Sequence, residues 1–214
     1  MTILHESQLF ATTTLFPVYL AADEILIERR EHYQKRSPRN RYNILTSQGV
    51  KTLSIPLSKG KNQQMPIIDV KISYDENWIK NHLETIRSSY GKSPFFDFYF
   101  QDIERTFKNR YTYLYDLNMD ILVLMLKALK IKAKLSETML YSTDYSKHAK
   151  LIDFRERTEN FNKKISPQLL AYPQVWESHT GFTPCLSIID LLLCMGPEAE
   201  SYLRKIQPMI VQNL

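Results

Sequence analysis

The strand-like runs in the first third of the chain stand close together, and that spacing limits how they can be joined. Residues 8–14 have strand composition, and Phe16-Pro17 ends the run. Residues 18–24 read as a short helix and 25–28 as a strand. Residues 42–45 and 51–57 read as a hairpin turning at Gln48-Gly49, with 59–64 a polar loop and 67–73 a further alternating strand. Parallel neighbours need a crossover of a dozen or more residues, usually a helix. Most of these gaps are shorter, so antiparallel pairing is expected for part of the sheet and a doubly wound parallel sheet is not.

The middle and end of the chain change period. Asp75 is placed to cap a helix running to Tyr90, with Trp78, Ile79, His82, Leu83 and Ile86 on one stripe. Ser93-Pro94 signals a second helix, and Asp116 caps a third over residues 117–129, apolar nearly all round. Residues 138–141 read as a strand, 143–150 as a polar stretch and 159–166 as an exposed loop. Thr183-Pro184 opens a helix to Met195; Gly196 ends it and Pro197 starts the last one. The expectation is a mixed α/β (α+β) fold over residues 1–214 as one domain. A mixed or antiparallel sheet of short strands from the N-terminal half would pack against helices from the middle and C-terminus.

The bulk numbers exclude several classes. Of 214 residues, 43% are hydrophobic, enough for a core, and 28 Lys and Arg against 23 Asp and Glu leave a net charge of +5. Only 5 glycines occur, and no glycine-rich phosphate loop is among them. Cys185 and Cys194, read on one helix, would lie about 13 Å apart, beyond the reach of a disulfide. No cysteine or histidine spacing calls for a metal, and nothing in the chain names a cofactor. The N-terminus carries no cation before Arg29, unlike a signal peptide, and the apolar run 186–195 is about half a membrane span. The expectation is a cytoplasmic protein with no membrane insertion.

Four constellations carry chemistry. Residues 28–42 hold six cations (Arg29, Arg30, Lys35, Arg36, Arg39 and Arg41) against Glu28 and Glu31, with His32 among them. Arginine forks suit phosphate or carboxylate, and histidine accepts a proton near neutral pH. The other reading of this segment is a solvated loop whose arginines pair with Glu28 and Glu31. Trp78 and His82 share a helix face, either as an aromatic wall with a second acid/base group or as core. Tyr172 to Phe182 is a polar and aromatic stretch ahead of a helix N-terminus, a binding loop or a cover over the core. Asp190 sits in a very apolar helix and needs a partner, with Arg39, Arg41 and Arg155 as candidates.

An ordered set of these pieces resembles the WbqC-like family over nearly the whole chain, in the form typical of Bacteroidetes. The set comprises Leu15-Phe16-Pro17, Ala22-Asp23-Glu24, Glu31-His32-Tyr33 with Lys35, and Arg39-Asn40-Arg41. It continues through Ile55-Pro56-Leu57, Trp78 with His82, Tyr90 and Pro94-Phe95-Phe96. Leu117-Asn118, Asp153-Phe154-Arg155-Glu156 and Tyr172 with Gln174-Val175 follow. Gly181-Phe182 and the closing run Leu186 to Leu192 with Met195-Gly196-Pro197-Glu198 complete it. The sequence departs at Cys185 and Cys194, where asparagine is familiar, and at Thr180, which interrupts a His-Gly-Phe piece. The resemblance implies a place in surface-polysaccharide (O-antigen) gene clusters and a glycyl or acyl transfer onto an amino sugar. It supplies no settled catalytic residues.

The first functional expectation is a transferase acting on a sugar nucleotide or related small anionic precursor. His32 is the general base, with His82 in reserve. Lys35, Arg39 and Arg41 bind the anion, Asn40 orients a polar group, and Trp78 and Tyr172 stack on a ring. Glu31, Arg155, Gln174 and Asp190 complete the candidate set. The alternative is a module that binds a nucleotide or glycan precursor without chemistry. Nucleic acid is the least favoured partner, because the basic cluster is short.

Overall fold

The computed structural model describes residues 1–58, 65–142 and 150–214, and the fold is α/β. The readings for 59–64 and for 143–149 lie outside the described residues. The chain opens directly in a strand, β1 (Thr2–Glu6), and α1 (Leu15–Ala21) carries it to β2 (Glu24–Glu28). The hairpin β3 (Arg41–Thr46) and β4 (Gly49–Ser54) follows, then helices α2 (Trp78–Tyr90), α3 (Phe96–Lys108) and α4 (Leu114–Ala128). Next come β5 (Lys134–Glu137), β6 (Leu151–Asp153), α5 (Thr158–Ile165), α6 (Glu177–Thr180), α7 (Ile188–Met195) and α8 (Glu198–Val211).

Four strands form one wholly parallel sheet in the order β5-β2-β1-β6, and β3 with β4 forms a separate antiparallel ribbon. Helices cover parallel sheets, so their strands are apolar on both faces; Ile3, Leu4, Ile25 and Ile27 are fully buried accordingly. The register sets Ile3 beside Ile25 and Leu4 beside Leu26. α1 lays Leu15, Phe16, Val18 and Tyr19 inward and packs against α8.

Several expectations change here. Residues 8–14 are not a strand. They belong to the β1–β2 crossover, and Thr12 makes only an isolated bridge to Ser187. Since α1 does intervene, the early strands pair in parallel; among the described residues antiparallel strand pairing is that of the hairpin, which turns where expected, with isolated antiparallel bridges besides. Residues 67–73 form a 3-10 turn, Ile67–Asp69, and isolated bridges rather than a strand. Glu137 ends β5 just before the strand expected at 138–141. Residues 159–166 fall almost entirely in α5, which buries Phe161 and Ile165 instead of lying exposed.

α7 starts at Ile188, so Cys185 stands outside it in a left-handed conformation, φ +58°. Burial raises both thiols, Cys185 to about 11 and Cys194 to about 12. Gly196 ends α7 as expected, at φ +52°, and a Cβ there would stand 2.4 Å from the Phe95 ring. Among the described residues no helix is long and apolar enough to cross a membrane.

Candidate functional site

In chain order the four parallel strands are arranged third, second, first, fourth. β1 is connected to one side of the sheet while β6 joins it on the other. In open α/β sheets, ligands bind outside the carboxyl ends of the strands where the connections diverge. That edge is built here by His5, Glu6 and Gln8 at the end of β1, Glu28 at the end of β2, and Asp153 to Glu156 at the end of β6.

His5, Glu6, Gln8 and Glu28 are buried, Asp153 and Arg155 are half-buried and Glu156 is exposed, and hydrogen bonds link most of them. Glu6 accepts from Gln8 Nε2 at 2.8 Å and from the Glu156 N–H at 3.0 Å. Burial alone would raise the Glu6 carboxyl. His5 and Arg39, with the bond from Gln8, hold it below the usual range. His5 lies within 3.2 Å of the Tyr19 hydroxyl and 3.3 Å of Thr158 Oγ1. Burial is the main cause that lowers its pKa, against the pull of Glu6. Arg155 donates to Asp153 at 2.9 and 2.6 Å, to Glu28 at 3.2 Å and to the Ser142 carbonyl at 3.0 Å. It is thereby committed to tying β2 to β6, and Asp153 is its main partner and the chief reason its pKa is raised.

The basic segment crosses this edge. Arg39, 1% exposed, grips Glu31 with Nε at 2.8 Å and with Nη2. Burial pushes the Glu31 carboxyl up, against the pull of Arg39. The backbone is clamped at both ends. The Glu31 carbonyl accepts from Ile67 N–H, the Arg39 carbonyl accepts from Asn118 Nδ2, and the Pro38 carbonyl accepts from Leu9 N–H. Asn40 accepts from the Tyr33 hydroxyl at 2.9 Å and donates to the Ile55 carbonyl at 2.9 Å, so it holds the segment itself. The segment is therefore anchored through Glu31, Arg39 and Asn40, with Arg39 paired to Glu31 as the loop reading expected, while Arg30, His32, Gln34, Lys35 and Arg36 are exposed.

Two cavities flank it. One of about 500 Å³ is lined by Glu31, His32, Lys35, Tyr141 and Glu156. The other, of about 330 Å³, has Arg36, Arg41, Gln8, Thr158 and Ser187 on its walls. The structure thus brings Glu31, His32, Lys35, Arg39, Asn40 and Arg41 together, with Arg155 at the same edge.

The remaining candidates lie elsewhere. Trp78 and His82 are core residues in edge-on contact, ring centres 5.2 Å apart. His82 donates Nε2–H to the Ser54 carbonyl at 3.2 Å and accepts from the Tyr42 hydroxyl at 3.1 Å. Burial lowers its pKa to about 4. The unfolded chain takes that proton near pH 6.5, and the folded chain resists it until about 4. Stability conferred by His82 is therefore complete above 6.5 and lost as pH falls toward 4, by about 3 kcal/mol. Urea denaturation at pH 7 and pH 4 should show a smaller pH effect in His82→Gln than in the parent.

Among the described residues no arginine pairs with Asp190, contrary to expectation. Its oxygens accept from the Tyr90 hydroxyl at 2.8 Å, the Tyr172 hydroxyl at 2.6 Å and Gln174 Nε2 at 2.9 Å. Burial raises its pKa, a shift the three bonds only partly oppose. Tyr172, Gln174 and Asp190 therefore form a separate network that pins the 172–183 stretch to α2 and α7.

His5, Glu6, Gln8, Thr158 and Ser187 were not among the expected site residues. Two polar residues, His5 and Glu6, closing an apolar start at Ile3-Leu4 are the available signal.

The fold and this edge define an α/β protein with a cluster of polar side chains at the switch point of a parallel sheet. The model of the WbqC-like protein family matches residues 7–169. The chain belongs to that family. It is 25% identical over 215 residues to "Uncharacterized protein Rv1507c" of Mycobacterium tuberculosis, covering 88% of this chain and 91% of that protein. No solved structure matches it.

Proposed function

We propose that this protein is a cytoplasmic group-transfer enzyme that places a glycyl or other acyl group on an amino sugar or its sugar nucleotide, in the making of a surface polysaccharide. One observation carries the reading: the basic segment folds over the carboxyl edge of the parallel sheet at its switch point, between two cavities. His32 is exposed on the wall of the larger cavity and serves as general base. It takes the proton from the accepting amine or hydroxyl as that atom bonds to the acyl carbon and the donor's leaving group departs. Lys35, on the same wall, and Arg41, across the segment, supply positive charge to an anionic substrate. Arg39, Glu31, Asn40 and Arg155 fix the frame. Trp78, His82, Tyr172, Gln174 and Asp190 are assigned to packing.

The test is incubation of the protein with amino-sugar nucleotides and a panel of acyl-thioester and glycyl donors, followed by mass spectrometry. A mass gain of one glycyl or acyl group is expected. Ligand-dependent thermal stabilisation with no product across the panel would instead mark a non-enzymatic binding module.

A further inference from the structure

Two arginines line the smaller cleft, the exposed Arg36 and the half-buried Arg41, and no carboxylate among the described residues pairs with either. The acid on its wall, Glu159, is engaged by Lys163 at 2.8 Å. This positive charge sits in a concavity rather than on a convex surface.

The backbone around the cleft is strained in a pattern of its own. Six non-glycine residues among those described have positive φ. Arg110 and Lys130 follow the ends of α3 and α4, where a left-handed residue is the ordinary way to stop a helix. The other four are Phe10, Arg36, Cys185 and Glu156. The first three line this cleft, and Glu156 lines the neighbouring cavity. Such conformations cost on the order of 1–3 kcal/mol each and gather at ligand sites.

Two polar atoms complete the case. Gln8 turns its amide nitrogen to Glu6 and Thr158 and leaves Oε1, an acceptor, buried without a donor among the described residues. Ser187, at the N-terminus of α7, makes no cap bond, and its hydroxyl is buried without a partner among the described residues. Both residues are more than nine-tenths buried and line the cleft. A buried polar atom left unpaired costs free energy until something pairs it.

We propose that this cleft is a phosphate subsite that takes the phosphate ester of a monosaccharide. Arg36 and Arg41 hold the phosphoryl oxygens, and a turn of the Ser187 and Gln8 side chains, whose Oγ and Oε1 are shielded from solvent and unpaired among the described residues, brings a donor and an acceptor to the ligand. A cavity of about 330 Å³ is at the small end of ligand sites, matched to a sugar phosphate rather than a whole nucleotide-linked sugar. The inference rests on the transferase reading only for the biological identity of that ester; anion binding stands without it.

The test is calorimetry of the full chain at low salt with inorganic phosphate, glucosamine 1-phosphate and free glucosamine. Both phosphates are expected to bind, the ester more tightly, and free glucosamine far more weakly than either. Arg36→Ala and Arg41→Ala should each weaken the ester by about tenfold or more, and high salt should weaken it further. The proposal is overturned if the parent binds neither phosphate. It is equally overturned if the Arg36→Ala/Arg41→Ala double variant, folded by circular dichroism, binds as the parent does. Binding lost in the arginine variants with no transfer by the parent sinks the transferase reading and leaves the subsite. Transfer at an unchanged KM in the double variant does the reverse.

Discussion

Arg39→Ala is expected to lower the stability of the folded protein by about 3–5 kcal/mol, the usual loss when one partner of a buried ion pair is removed. The guanidinium is 1% exposed and its partner, Glu31, 5%. With Arg39 gone, Glu31 keeps its desolvation penalty and loses two hydrogen bonds, while Glu6 and Glu28 still repel its charge. For a chain of this length the fall in Tm should be on the order of 10 °C. The double variant Arg39→Met/Glu31→Leu removes both charges and should recover most of the loss, since replacing a buried pair by apolar groups is often neutral. Thermal denaturation of the parent, the single and the double variant checks this. A single variant as stable as the parent would mean that the pair does not hold the segment.

His32→Ala is the opposite experiment. It should reduce turnover by about 10²–10⁴-fold, the range ascribed to a positioned general base, and should shift stability by less than about 0.5 kcal/mol, as surface substitutions do. The reason is local. The side chain is exposed on a cavity wall, and the backbone bridge that anchors it, to Pro66, survives truncation to alanine. Turnover at the parent's rate in the folded variant would remove His32 from the mechanism. The two variants together separate what builds the segment from what acts on its surface.

What the sequence reveals of this fold depends on the range of the signal. α2, α4 and the end of α7 are legible because apolar spacing and Gly196 act within a few residues. The hairpin is legible from Gln48-Gly49. β1 is not, because its second half, His5 and Glu6, is polar. Those side chains find partners only because α5 and the connection that leads to it from β6, some 150 positions later, supply Thr158 and the Glu156 N–H. α5 looks exposed because one apolar face of Phe161 and Ile165 is diluted by lysines and asparagines. Arg39 illustrates the same limit within the site. Its pairing with Glu31 is one of the two readings of the cationic run, but its burial is not legible, because the segment is clamped by Leu9, Ile67 and Asn118 from distant parts of the chain. Asp190 was recognisable as a buried acid needing partners, but neutral donors 100 and 18 positions away satisfy it.

The central claim is that ligand meets this protein beneath the basic segment, at the carboxyl edge of the parallel sheet. The most direct measurement is amide chemical-shift mapping while titrating in whichever amino-sugar nucleotide or sugar phosphate raises Tm the most. Shifts gathered in residues 5–12, 31–41, 156–162 and 185–187 are the expected result. Shifts confined to the apolar groove of Phe98, Leu124 and Leu192 on the helical side, with the basic segment unmoved, would contradict it.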